Sequence, residues 1–155
     1  MKVLATSLLI LIVSLVSAGC PGHLPPNATP QMHIAVYGGD AMKAIHQIQL
    51  VTDSLLSAKV FSEDKAAKII GMTIKAGETG QNLSRLLATY ETASSSNSKE
   101  LAEAINKALK ELDSFVTSIV GEFSTPSLKA QIIDSLTQII GAIASIRFAV
   151  PEPLI

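Results

Sequence analysis

The stretch "ELAEAINKALKELDSFVTSIVGEF", residues 100 to 123, constrains this chain more than any other. Leu101, Ile105, Ala108, Leu112, Phe115, Ile119 and Phe123 recur at steps of four and three. That spacing places them on one stripe of an α-helix, because 3.6 residues complete a turn. Lys99, Glu103, Lys107, Lys110 and Glu111 fall on the opposite side and read as a solvated face, not a binding patch. A helix with one apolar stripe is stable only against other helices or a sheet. No long run of the chain alternates apolar and polar residues at period two, so helices are the expected partners.

Three further segments carry the same period. The first expected helix covers Ile34 to Ala58, with Ala41, Ile45, Ile48, Thr52 and Leu55 as its stripe, widened by Ala44, Val51 and Leu56. Its start has two readings. Asp40 can act as the N-cap, or the helix begins earlier and tolerates Gly38 and Gly39 at about 1 kcal/mol each. The second helix starts after Ser62, an N-cap residue followed by Glu63 and Asp64 at the positive end of the helix dipole, and runs to about Thr92. Phe61 is placed to staple onto Ala66. The middle of its inner stripe is small: Thr73, Ala76, Gly77 and Gly80 are expected to permit close helix packing, a break at residues 76–80 being the alternative. Asn97 with Glu100 resembles a capping box ahead of the third helix. Thr125 and Pro126 open the fourth, whose stripe is Leu128, Ile132, Leu136, Ile139, Ile143, Ile146 and Val150, doubled by Ile133 and Ile140. The fourth is expected to be the most buried helix rather than a membrane span, because Lys129, Asp134 and Arg147 fall on it.

Short connections between four such helices predict an all-α fold, an antiparallel up-down-up-down four-helix bundle over residues 34–150, with a five-residue tail at 151–155. A three-helix core with the first helix loosely docked is the variant. At 48% hydrophobic and 16% charged, the chain is apolar enough for one packed core. A net charge of −1 and few aromatics give nucleic acid neither a basic surface nor stacking platforms, so no nucleic-acid partner is expected.

Ahead of the helices, residues 1–19 have the layout of a secretory signal peptide. Lys2 supplies the positive start, Val3 to Val16 are uncharged and apolar, and Ser17, Ala18 and Gly19 are small. An uncleaved anchor is the alternative, but the run is shorter than the ~20 residues a span needs. Cleavage has two candidate positions, after Ala18 or before Cys20. "SAGC", Ser17 to Cys20, resembles the lipobox of bacterial lipoprotein precursors, with Ser17 standing where that box usually has Leu. The resemblance covers these first residues alone. It implies that Cys20 becomes the lipid-bearing mature N-terminus and that the chain is held on a membrane in the cell envelope; residues 20–33, whose prolines favour extended conformations, then read as a tether. Cysteine usage agrees with that, since an exported chain with one Cys forms no internal disulfide.

No chemistry-bearing constellation accompanies this layout. His23, His33 and His46 lack a ligating partner one turn away, Met42 beside His46 being the sole haem-like pairing, and the carboxylates do not repeat as the Glu-x-x-His of di-iron bundles. "GETGQN" has no Lys-Ser/Thr to complete a phosphate loop, and no G-x-S-x-G elbow is present. The chain is therefore expected to be no enzyme and to carry no metal or cofactor. The expected role is a lipid-anchored bundle with an unidentified protein partner or a structural place in the envelope. A soluble exported bundle carrying a small apolar ligand is the alternative, and a phage- or plasmid-encoded exclusion lipoprotein is a third.

Overall fold

A computed structural model describes residues 30–93 and 97–150. Five helices and no strand occur among the described residues: α1 (Pro30–Ser57), α2 (Glu63–Thr92), α3 (Ser98–Glu122), α4 (Pro126–Ala130) and α5 (Ile133–Ala149). The four long helices form a closed ring of contacts. α1 packs on α2 and α5, α3 packs on α2 and α5, and the short α4 leans on α5. One aliphatic core fills the centre, and Ile48, Ile69, Ile105, Leu109, Ile119, Ile132 and Ile139 are wholly buried in it.

α1 begins at Pro30, inside the stretch expected to be tether, and passes through both glycines without a break. Proline suits a first helical position because its missing N–H would have no intrahelical partner there. Asp40 therefore caps nothing. It lies inside the helix and pairs loosely with Lys43 at 3.5 Å. A Cβ built on Gly38 or Gly39 would meet nothing within 4 Å, so packing does not require glycine at either position. The helix is not loosely docked: Ala44, Ile48 and Thr52 are fully buried. Its C-terminus is closed by paired backbone bonds, Val60 N–H to Leu55 O and Lys59 N–H to Leu56 O, both 2.9 Å. This is the Schellman arrangement, and it puts Lys59 at φ 59°, in the left-handed region that favours glycine.

Ser62 caps α2, its side chain accepting from Lys65 N–H at 3.3 Å. Just before it, Phe61 is buried and meets Phe123 edge-to-face at 5.4 Å between ring centres, tying the α1–α2 loop to the end of α3. α2 is continuous through residues 76–80, so the break considered for that stretch does not occur. The capping box expected before α3 does not form either. Asn97 has helical backbone angles, φ −100° and ψ −10°, and its side chain makes no capping bond. A side chain reaches the amides two or three residues on only from an extended N-cap backbone. Within α3 the expected stripe is buried from Ile105 to Phe123, and Ala102 and Leu109 join it because α2 and α5 grip the helix on two sides.

The last segment divides in two. Thr125 caps α4 by accepting from Leu128 N–H at 3.3 Å, but the chain then tightens: Gln131 N–H bonds to Leu128 O and Ile132 N–H to Lys129 O, both 3.1 Å. Bonds of this three-residue kind keep the amides satisfied across the bend. The stripe of α5 is not doubled. Ile133 is 53% exposed and Ile140 51%, because α5 has neighbours only on its inner side. No described helix is long and apolar enough to cross a membrane.

Candidate functional site

The seam between α1 and α2 gathers the small residues singled out in the sequence. Thr73 and Ala76 are buried, and Gly77 and Gly80 are half-buried beside them. Across the seam lies Met42 of α1. Its methyl Cε is 3.8 Å from where a Cβ on Gly77 would stand, an ordinary contact, whereas its Sδ would be only 2.6 Å from a Cβ on Gly80. Met42 thus occupies the volume that a side chain at residue 80 would need. An unbranched thioether fills irregular space of this kind well.

About two turns further along the seam, a chain of polar groups crosses it. Thr73 Oγ1 donates to Ile70 O at 2.8 Å and accepts from Gln49 Nε2 at 2.9 Å. With its amide nitrogen so engaged, Gln49 presents Oε1 to His46 Nδ1 at 3.2 Å. His46 is therefore the donor in that contact, with the proton on Nδ1. His46 itself is exposed, and it and Met42 are turned to different tasks, so the two do not form a haem-ligand pair.

Next to Gly80 the core holds a cavity of about 20 Å³, lined by Ala41, Met42, Ile45, Leu83, Ile143 and Ile146 among others. One water-sized probe needs ~10–15 Å³, and ligand pockets run to several hundred Å³. The space is a packing defect on that scale, and its apolar walls offer water little.

Among the described residues no group of three or more His, Cys, Asp or Glu side chains is placed to hold a metal ion. Three carboxylates link helices instead. Glu122 receives Lys68 Nζ at 2.5 Å, linking α3 to α2, and Asp113 pairs with Arg147, linking α3 to α5. Thr79 donates to Glu111 at 3.3 Å, a second polar link between α2 and α3. Asn106 is buried and turns its amide nitrogen back to Ala102 O at 3.0 Å. "GETGQN" lies within α2 as helix, so its amides are committed to the helix and cradle nothing. Ser17, Ala18, Gly19 and Cys20 lie outside the described residues.

Sequence reasoning did not find the outer face of α5. There Ile133, Ile140 and Phe148 are exposed together, Phe148 to 92%. The signal was present as apolar residues on both sides of the helix, but periodicity alone does not say which side turns inward. Comparison with protein-family models, with curated proteins and with solved structures finds no match to this chain.

Proposed function

We propose that this is an exported helical-bundle protein, lipid-anchored at Cys20 in a bacterial cell envelope, with a non-catalytic binding or structural role. One observation carries the reading. The only cysteine in the chain follows an uncharged apolar run and the small residues Ser17, Ala18 and Gly19, and precedes the prolines that lead to the bundle. Acylation of that thiol gives a single exported cysteine a use that an internal disulfide cannot. The size of the core cavity weighs against a cargo of small apolar ligand.

The bundle itself is read as up-down-up-down with antiparallel neighbours. The seam contacts support that arrangement. Met42 meets Gly80 and Gln49 meets Thr73, so the partners run in opposite directions along α1 and α2. Lys68 meets Glu122 and Thr79 meets Glu111, which is the same relation between α2 and α3.

Mass spectrometry of the mature N-terminus tests the anchoring. The expected result is a chain beginning at Cys20 and carrying acyl mass, and an unacylated Cys20→Ser chain released from the membrane. A mature chain beginning at Gly19, or an unmodified Cys20, would overturn the reading.

A further inference from the structure

The outer face of α5 is an apolar surface that the bundle does not use. Ile133, Thr137, Ile140, Gly141, Ala144 and Phe148 are all exposed, recur at helical spacing and carry no charge. No other large apolar side chain among the described residues is as open as Phe148. Single exposed apolar residues are ordinary on a protein surface, whereas a contiguous stripe marks a contact surface.

Its position in the fold identifies the occupant. Gly38 and Ala41 line the same cavity as Ile143 and Ile146, so the first described half of α1 lies beside the C-terminal half of α5. The chain thus enters the bundle at the Phe148 end of the stripe. Between Cys20 and Pro30 there are only the residues 21–29, a reach of roughly 30 Å when fully extended. On the anchoring reading given above, on which this inference rests, the lipid surface is never further than that from Pro30, at the end of α1 that enters the bundle on the Phe148 side. A second copy of the chain fits the stripe less well. Asp134 and Arg147 stand on opposite flanks of it. In an antiparallel two-fold pairing each flank meets its own counterpart, so the two charges do not meet across the seam. In a parallel pairing they lie at different heights.

From this we infer that α5 lies along the lipid surface to which the chain is anchored, with Phe148 and Ile140 seated among the acyl chains and the charged flanks kept in the headgroup layer. The stripe carries no cation of its own, so the contact is apolar and does not depend on anionic lipid.

The chain contains no tryptophan, which makes the test direct. Phe148→Trp, Ile140→Trp and Ile74→Trp each introduce one indole at an exposed position, Ile74 being on α2 across the ring from α5 and 52% exposed. Each full-length chain is processed by its host and reconstituted into vesicles of phosphatidylethanolamine and phosphatidylglycerol with brominated acyl chains. Circular dichroism confirms that each variant keeps its melting temperature. The inference expects blue-shifted emission and loss of most of the intensity for Phe148→Trp and Ile140→Trp, with Ile74→Trp unaffected. Equal emission from all three, in a chain whose Cys20 is shown by mass spectrometry to be acylated, overturns this inference and leaves the anchoring reading intact. Emission from Phe148→Trp that shifts with protein density in the membrane and not with bromination assigns the stripe to a second copy, and overturns it as well. An unacylated Cys20 instead removes the anchoring reading, whatever the emission.

Discussion

Replacing Gly80 with alanine isolates what Met42 does at the α1–α2 seam. Glycine inside a helix is less favourable than alanine by about 1 kcal/mol, so Gly80→Ala in an open setting would stabilise by that amount. At this position the new Cβ would stand 2.6 Å from Met42 Sδ, well inside any real contact. Met42 must swing out, and because Sδ lies near the free end of a flexible side chain the shift falls at the low end of the ~1–3 kcal/mol that forced repacking costs. The expected net effect is close to zero, the two terms cancelling. In a Met42→Ala background the obstacle is gone, and the same Gly80→Ala change should stabilise by about 1 kcal/mol. The double-mutant cycle should thus report a coupling of about 1 kcal/mol, within the range of residues in direct contact. Gly71 supplies the control, since a Cβ there meets nothing within 4 Å. Gly71→Ala should gain about 1 kcal/mol in either background. Urea unfolding followed by circular dichroism measures all of these. If Gly80→Ala stabilised as much as Gly71→Ala with Met42 present, Met42 would not be seated against Gly80 and the account of the seam would fail.

Three other expectations are simpler. Ser62→Ala should lose about 1 kcal/mol with its capping bond, whereas Asn97→Ala should change stability by no more than a few tenths, because Asn97 makes no such bond; equal losses in thermal melts would restore the capping box. Lys59→Gly should stabilise by about 1 kcal/mol by relieving the left-handed backbone at φ 59°, and a destabilised variant in denaturant titration would count against the Schellman arrangement. Ile139→Ala should cost about 2–5 kcal/mol, since Ile139 is wholly buried. Ile140→Ala should cost under about 1 kcal/mol, and a reversed order would mean that α5 faces the other way.

The all-helical class was legible because each segment carries an apolar stripe at helical spacing, most clearly from Leu101 to Phe123. Two caps, Ser62 and Thr125, were legible because a hydroxyl ahead of an acidic first turn or a proline has few other uses. The start of α1 was not. Gly38 and Gly39 argue locally against helix, and the buried run from Ala41 to Leu55 outweighs them only once α2 and α5 cover it. The helix end at Lys59 was hidden because lysine stands where glycine is the usual signal. α5 offered isoleucine on both sides, and choosing Ile139 and Ile143 over Ile133 and Ile140 requires knowing where α1 and α3 lie. At the candidate seam, the small residues of α2 were visible in the sequence, but Met42 as their partner was not. The register between two helices is a property of neither helix alone.

The ring of contacts has a consequence for the order in which the chain becomes stable. α5 is the last long helix in sequence and yet packs against α1, the first. Until α5 arrives, α1 keeps half of its apolar surface open to water, and α3 waits for its second neighbour. A chain emerging from one end can form the α1–α2 and α2–α3 hairpins early, from contacts close in sequence, but it cannot close its core on them. The final step is a long-range docking, and the intermediate before it exposes aliphatic surface of the kind that aggregates or is held by a chaperone. A truncation that removes α5 should therefore leave an unclosed, sticky remnant rather than a smaller stable bundle.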